Sequence, residues 1–298
     1  MEELKDIVHD LEPELGPAEA EPAPLAGGIT NRNYRVRLGG IDYVLRLHGK
    51  DTDLLGISRE AEQAANEAAA ELGLAPALAA RFPGGMVTRY VPCQTLSAAE
   101  VAARAEEIAV ALRRFHDADV TLPSPFWVPD LIAAYERILG ARGGTPPPEL
   151  HTAGELAGRI ADALPAAERR PCHNDLLPGN VIADAGSGRV MIVDWEYAGM
   201  GDPWFDLGNL SVNNDFSEAD DERLLSAYNE RPPTRAERAR LKLMRLMSDV
   251  REAAWGVVQG SLSDLDFDFA GYADRHFARL RTTSGGGELE RLLAATGA

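Results

Sequence analysis

Apolar residues alternate with arginines from Tyr34 to Leu38, near the start of the chain. A period of two predicts a β-strand with one buried face. After a turn that contains two glycines, residues 43–47 form a second apolar run, so the two segments together predict a β-hairpin. Residues 86–91 predict another strand, which Pro92 ends because proline has no N–H group to donate to a sheet.

Residues 58–73 show the period of a helix instead. Four residues recur at spacings of three and four and form one stripe: Glu62, Ala65, Ala69 and Leu72. The other glutamates of the segment fall on the polar face. The pattern therefore predicts a helix in which one carboxylate, that of Glu62, lies in line with the apolar stripe.

Most of the remaining chain has helical patterns. A serine or threonine followed three residues later by glutamate is typical of a helix start, and it occurs at Ser97, Thr152 and Thr234. The helix after Thr234 extends to about residue 260 and has apolar residues on two faces, so we expect it to be buried.

One β-hairpin interrupts these helices, because residues 180–182 and 190–194 are apolar segments around a glycine-rich turn. Strands first and helices afterwards predict an α+β fold with two lobes. We expect an N-terminal lobe with an antiparallel sheet and a helix at residues 1–91, and a mainly helical C-terminal lobe at residues 92–298. Residues 16–26, rich in proline, alanine and glutamate, are interpreted as an irregular lead-in.

The charge balance narrows the range of partners. The 298 residues include 30 lysines and arginines against 47 acidic residues, a formal net charge of −17. This charge disfavours nucleic acid and anionic membranes, and it is compatible with a cationic substrate or with solubility alone. No apolar run is long enough to span a membrane, and the acidic N-terminus lacks an apolar signal core. We therefore expect a cytoplasmic protein without membrane insertion, and its oligomeric state is left open.

Three polar residues carry the most specific chemical signal. Asp175 is followed five residues later by Asn180, and Asp194 comes at the end of a hydrophobic strand. In phosphoryl transfer, one acid orients the attacking hydroxyl and accepts its proton, while an amide oxygen and a second carboxylate hold magnesium. Each residue alone is more often a turn cap, but the combination resembles the kinase catalytic pattern. His173 is interpreted as a structural residue that orients the loop.

Three motifs resemble those of the choline/ethanolamine kinase family: Cys-His-Asn-Asp-Leu-Leu-Pro-Gly-Asn at residues 172–180, Ile-Val-Asp-Trp-Glu-Tyr at residues 192–197, and Gly-Asp-Pro-Trp-Phe-Asp-Leu-Gly-Asn at residues 201–209. That family belongs with the aminoglycoside phosphotransferases. The resemblance spans roughly residues 27–280. It implies a protein-kinase-like fold and a small-molecule kinase that uses ATP and Mg²⁺, with Asp206 bracing the catalytic loop.

The resemblance also implies individual roles around the nucleotide. Asp175 would be the catalytic base, and Asn180 and Asp194 would be the magnesium ligands. Arg46, on the second strand, would contact the nucleotide phosphates. Glu62 would pair with Arg46, which would explain a carboxylate on an apolar helix stripe; the simpler alternative is a partly exposed acid at the edge of the helix.

The remaining nucleotide contacts would come from two backbone segments. Gly28, Thr30 and Asn31 belong to a glycine-containing loop that would cover the phosphates with its N–H groups. Arg89 and Val91 would be hinge residues whose backbone groups face adenine.

The acceptor pocket would be built from an acid and aromatic side chains, the groups that commonly hold an ammonium ion. The resemblance places five residues there: Glu196, Tyr197, Trp255, Phe267 and Tyr272. It implies a small cationic amino alcohol as the substrate, with choline first and ethanolamine next. Core packing is the alternative role for each aromatic residue.

One aromatic residue of the family pattern is absent. The family often has Trp-Gly-x-Trp, whereas here Val258 takes the place of the second tryptophan. A desolvated cation–π contact is worth about 2 kcal/mol. Its loss weakens the case for strict choline selectivity, so ethanolamine or another amino alcohol becomes easier to accommodate.

Two other functions stay open. An aminoglycoside or amino-sugar kinase of the same superfamily would use an acid-rich pocket, for which Asp264, Asp266 and Asp268 are candidates. A nucleotide-binding pseudokinase scaffold is disfavoured because the three catalytic positions are intact. A protein substrate is disfavoured because no activation loop is recognisable after Asp194.

Overall fold

The structure is a computed structural model that describes residues 2–25, 31–49, 52–165, 167–263 and 265–296. The helices α1 to α11 span, in chain order, Glu2–Leu15, Arg59–Glu71, Ala98–Ala103, Ala105–His116, Val128–Ala141, Pro148–Ala163, Pro203–Asn213, Glu218–Asn229, Arg235–Leu262, Phe269–Thr283 and Glu288–Ala295. The strands β1 to β10 span Ala23–Leu25, Arg32–Leu38, Ile41–Leu47, Leu78–Phe82, Gly85–Arg89, Cys93–Thr95, Arg170–Cys172, Val181–Asp184, Val190–Ile192 and Gly199–Gly201.

The first hairpin is confirmed. β2 and β3 pair in antiparallel fashion, from Arg32 opposite Leu47 to Leu38 opposite Ile41. They form the centre of a five-stranded antiparallel sheet with the order β1-β2-β3-β5-β4. Helix α1 contributes Val8 to the apolar core of this sheet.

The interpretation of residues 16–26 as irregular is wrong at its end. Ala23–Leu25 form the edge strand β1, in which Ala23 lies opposite Arg35 and Leu25 opposite Asn33. The strand is short and contains a proline, so its sequence has no alternation to signal it. Pairing with β2, and not local preference, is therefore what orders this segment.

The helix predicted at residues 58–73 is confirmed as α2. Ser58 caps it by accepting a hydrogen bond from the Ala61 N–H group. Glu62 and Ala65 are fully buried, as the stripe predicts.

The long helix α9 is buried on two faces, as expected, and packs against α5, α6, α7, α10 and α11. Its capping box at Thr234 is confirmed, and so is the one at Ser97.

The helix start predicted at Thr152 is wrong, because α6 begins one turn earlier at Pro148. Proline suits the first turn of a helix, and the Thr152 hydroxyl donates back to the Pro148 carbonyl at 3.1 Å.

The hairpin embedded among the helices is confirmed as β8 and β9. It is joined by β6 in a three-stranded sheet, and β7 pairs with β10 in a two-stranded one. The fold is therefore α+β, with the five-stranded sheet in the N-terminal part and mostly helices after it. The boundary between residues 91 and 92 stays a prediction.

Across the described ranges, no helix combines the length and the apolar character needed to cross a membrane.

Gly208 allows α7 to cross α9 closely, which generates a first prediction. A Cβ atom at Gly208 would lie 2.5 Å from the backbone carbon of Met244. We expect Gly208→Ala to lower the free energy of unfolding by about 1–3 kcal/mol, the usual cost of overpacking. Urea unfolding monitored by circular dichroism measures the change.

Gly158→Ala, in α6, is the matched control. Apart from its chain neighbours and the backbone of its own helix, no atom of the described residues lies within 4 Å of a Cβ atom built there. Alanine should stabilise this helix by up to about 1 kcal/mol, because it has the higher helix propensity. Equal effects of the two substitutions would show that the crossing of α7 and α9 does not need a glycine.

Candidate active site

Asp206 of α7 organises the loop between β7 and β8. Its fully buried carboxylate accepts hydrogen bonds from the backbone N–H groups of His173 at 2.8 Å and Asn174 at 2.7 Å. The ring of His116 also contacts it, at 3.0 Å. Asn174 has a φ angle of 67°, a left-handed conformation that asparagine tolerates better than most residues. The carboxylate thus braces a sharply bent loop, as expected.

His173 connects this loop to the segment before Asp194. Its Nδ1 atom accepts a hydrogen bond from the Asp175 N–H group at 3.2 Å, and its Nε2 atom lies 3.0 Å from the Val193 carbonyl. Burial lowers the pKa of His173 and so favours the neutral ring. A neutral ring can accept at one nitrogen and donate at the other, which fits the structural role predicted for this residue.

Asp175 is held on both sides. Its Oδ1 atom lies 3.0 Å from Nη1 of Arg251, and its Oδ2 atom accepts a hydrogen bond from the side chain of Asn180 at 3.2 Å. Burial raises the pKa of Asp175, and the neighbouring positive charge of Arg251 opposes that rise. The carboxyl group is therefore placed and tuned as a proton acceptor would be.

Asp194 follows the hairpin, where its charge acts on Asp175, and it pairs with Arg46. Its φ angle is 66°, and its Oδ1 atom lies 2.7 Å from Nη1 of Arg46. The same guanidinium nitrogen lies 3.0 Å from Oε1 of Glu62, which is fully buried. The structure thus brings Arg46 and Glu62 together, and it does not place Glu62 at an exposed edge of α2.

A cavity of about 300 Å³ lies between the five-stranded sheet and the β8–β9 hairpin. Arg46, Arg89 and Val91 line it from the sheet side, and Asn180 and Asp194 line it from the hairpin side. The five predicted residues therefore surround one space.

At the predicted hinge, one backbone donor is already used. The N–H group of Arg89 donates to the Ala77 carbonyl at 2.8 Å. Of the backbone groups of Arg89, only the carbonyl is left to face a ligand.

The predicted phosphate-covering loop is described only at its end, because Gly28 and Thr30 lie outside the described residues. Asn31 donates from its side chain to Oε2 of Glu196 at 2.8 Å. Arg59 of α2 also reaches Glu196, at 3.4 Å. Burial, and next the nearby charge of Asp194, raises the pKa of Glu196 to about 8. Glu196 thus connects Asn31 and Arg59 of α2 to the turn that follows the hairpin.

Three of the four predicted aromatic residues meet in one group. The indole N–H of Trp255 donates to the Tyr197 hydroxyl at 2.8 Å, and the rings of Trp255 and Tyr272 lie 5.4 Å apart. Phe267 is 37% exposed and sits at the margin, with its ring centroid 6.0 Å from that of Tyr272. Val258 is fully buried among the apolar residues of the helical core.

The acid-rich pocket of the alternative function is not assembled by the residues that are described. Asp264 lies outside them, and Asp266 is exposed. Asp268 caps α10 by accepting a hydrogen bond from the Gly271 N–H group at 2.8 Å, so its position has a structural cause.

Arg251 and Glu252 are the site residues that the sequence patterns did not single out. Arg251 is 1% exposed, contacts Oε1 of Glu252 at 2.8 Å, and lies 4.2 Å from the ring centroid of Tyr197. Glu252 accepts a further hydrogen bond from the Tyr272 hydroxyl at 2.7 Å. A usable signal existed, namely two adjacent charges within a helix that is apolar on two faces.

Comparisons with known proteins agree with this geometry. The model of the phosphotransferase enzyme family matches residues 21–243. A solved structure of a choline/ethanolamine kinase family protein from Mesorhizobium loti is 33% identical, covers 98% of both chains and superposes with a TM-score of 0.82.

Two curated relatives are also similar. A probable choline kinase from Arabidopsis thaliana is 26% identical over 91% of this chain and 87% of its own length. An ethanolamine kinase from Drosophila melanogaster is 28% identical over 77% of this chain and 52% of its own. The chain therefore belongs to the choline/ethanolamine kinase family, within the larger phosphotransferase enzyme family, and it is a small-molecule kinase.

Proposed function

We propose that the protein transfers the γ-phosphate of ATP to the hydroxyl group of a small amino alcohol, either choline or ethanolamine. The observation that carries the proposal is that Asn180, Asp194 and Arg46 line one cavity between the five-stranded sheet and the β8–β9 hairpin, with Asp175 in contact with Asn180. The similarity to proteins named choline kinase and ethanolamine kinase supports an amino alcohol as the acceptor.

The donor set at the hairpin fits a magnesium ion. Asn180 uses its amide nitrogen to contact Asp175, which leaves its carbonyl oxygen free, and Asp194 uses only Oδ1 for Arg46. One amide oxygen and one carboxylate oxygen are the hard ligands that magnesium prefers beside nucleotide phosphates. Asn180 and Asp194 would hold the ion, which would neutralise phosphate charge and orient the transferred group.

Each protein group then has a defined task in the reaction. Asp175 accepts the proton of the acceptor hydroxyl as the hydroxyl oxygen bonds to the γ-phosphorus, and the bond from that phosphorus to the β–γ bridging oxygen breaks to release ADP. Arg46 supplies positive charge to the nucleotide phosphates. Glu62 and Asp194 keep the Arg46 guanidinium in place through contacts of 3.0 and 2.7 Å.

The aromatic group formed by Tyr197, Trp255 and Tyr272 suits the amine end of the acceptor. Aromatic faces attract cations, by about 0.5–2 kcal/mol each. Glu196 is engaged by Asn31 and Arg59, so its part in the amine site stays a prediction. These groups are held together by the helix α9, the start of α10 and the turn after Asp194.

The first test is a substrate panel. Initial rates of ADP formation are measured with choline, ethanolamine and an aminoglycoside set, with ATP and Mg²⁺ in excess. We expect turnover with choline or ethanolamine and none above background with aminoglycosides. Turnover with aminoglycosides alone would contradict the proposed acceptor, and ATP binding without any turnover would favour a scaffold.

The second test removes the proton acceptor. Asp175→Asn should lower kcat by about 10²–10⁴-fold, the usual contribution of a positioned acid or base. ATP affinity, measured by calorimetry, should remain. Asp184→Asn is the control, because Asp184 belongs to the same hairpin but its side chain only stabilises the Gly186–Ser187 turn. Near-normal kcat in Asp175→Asn would refute the role of Asp175.

The third test separates substrate binding from core packing at Trp255. Trp255→Leu should raise KM for the amino alcohol by about 2–30-fold, which corresponds to the loss of one cation–π contact. KM for ATP should stay within twofold. Phe269→Leu is the matched control, since Phe269 is also buried and its ring lies 5.7 Å from that of Trp255. Equal changes in both variants would mean that Trp255 serves the core alone.

A further inference from the structure

We propose that Arg251 binds the acceptor hydroxyl beside Asp175, donating a hydrogen bond to the oxygen that attacks the phosphorus. The proposal rests on the role of Asp175 as the base. It assigns a contact with the reacting oxygen to a residue of α9, far along the chain from the catalytic loop.

Arg251 has N–H groups that are buried without a hydrogen-bond partner among the described residues. Its Nη1 atom serves both Asp175 and Glu252, at 3.0 and 2.8 Å. Its Nε and Nη2 atoms are buried and have no hydrogen-bond partner among the described residues. Buried polar groups are nearly always paired, because an unpaired one loses its bonds to water without compensation. A ligand oxygen would complete this guanidinium.

The free donors are also in the right place for the acceptor. A hydroxyl that donates its proton to Asp175 must lie about 2.5–3.0 Å from the carboxylate. The guanidinium is rigid and planar, so Nη2 is fixed close to Nη1, which already touches Oδ1 of Asp175. An alcohol oxygen has lone pairs left after donating its proton, and one of them can accept from Arg251.

Arg251 would supply the positive charge that proton transfer to Asp175 needs and that the catalytic loop does not provide. The catalytic loop, residues 173–180, contains no lysine or arginine. Across the described parts of the chain, Arg251 is the one cation that contacts Asp175. Burial opposes a charged guanidinium, but the carboxylates of Glu252 and Asp175 raise the pKa of Arg251, so the charge persists. It would stabilise the negative charge that grows on the attacking oxygen as the proton leaves.

The same placement affects the amine end of the acceptor. The guanidinium of Arg251 covers one face of the Tyr197 ring at 4.2 Å. That face is closed to a substrate ammonium, and Arg275 lies over the Tyr272 ring at 5.6 Å, which leaves Trp255 as the ring of the group with no arginine over it among the described residues. The acceptor is thereby oriented with its hydroxyl at Arg251 and its amine away from it.

The test compares arginines on one helix. Arg251→Gln and Arg251→Lys are assayed with Arg245→Gln as control, because Arg245 of α9 pairs with Asp221 at 2.8 Å and does not contact Asp175. We expect Arg251→Gln to lower kcat by about 10²–10³-fold, as loss of one donor to a developing oxyanion does, with ATP affinity within threefold. Arg251→Lys should keep part of the rate, and Arg245→Gln should stay within twofold.

Chemical rescue distinguishes this role from a structural one. Millimolar guanidinium should restore part of kcat in Arg251→Ala and none in Asp175→Asn. A rate for Arg251→Gln within threefold of wild type would overturn the proposal. So would a loss that guanidinium does not rescue and that is accompanied by lost ATP binding, since that pattern indicates a damaged fold.

The outcomes also separate the two proposals. If Asp175→Asn keeps wild-type turnover, the base is wrongly assigned and the role of Arg251 fails with it. If Asp175→Asn is inactive while Arg251→Gln is normal, only the role of Arg251 fails.

Discussion

Carboxyl groups at and beside the cavity each contact an arginine from another element of the fold. Asp194 and Glu62 share Arg46, and Glu196 reaches Arg59. A carboxylate removed from water is costly unless a partner compensates it, so these pairs constrain the positions of β3, α2 and the hairpin together. Breaking one pair would leave a buried charge alone, which is why the sheet and the helices cannot shift independently of the site.

Asp206 applies the same constraint to the backbone. Its carboxylate satisfies two N–H groups of a loop that cannot satisfy them by itself, since Asn174 adopts a left-handed conformation. Asn209, one turn later on α7, receives the N–H group of Leu176. The position of α7 therefore determines the position of Asp175. Because Gly208 brings α7 close to α9, the same crossing also sets the distance between Asp175 and Arg251.

Local patterns were sufficient for much of the fold. Alternation predicted the β2–β3 hairpin, and the stripe on α2 predicted a buried Glu62. Local patterns were insufficient where pairing with a distant segment determines the structure. The edge strand β1 is an example, because it forms by pairing with β2. The predicted start of α6 was wrong because the sequence holds two start signals. The helix begins at Pro148, in its first turn, and not at the apparent cap at Thr152.

The same division holds at the site. The spacing of Asp175 and Asn180 is a local property, and the structure places the two side chains in contact. The burial of α9 was also predictable, since apolar residues occupy two of its faces. What could not be predicted is the partner of Arg251, because Asp175 lies 76 residues earlier in the chain. A helical period shows that a charge is buried, but not which charge it meets.

The aromatic group shows why that distinction matters for selectivity. Tyr197, Trp255 and Tyr272 come together as an ammonium site would require, yet the protein's own guanidinium already occupies one ring face. Glu252, the acid nearest these rings, is engaged by Arg251 and by the Tyr272 hydroxyl. In the proposed function, a substrate cation would therefore enter a site whose charges are largely balanced. Discrimination among amino alcohols would then come from the packing of Trp255 and Tyr272, more than from unpaired negative charge.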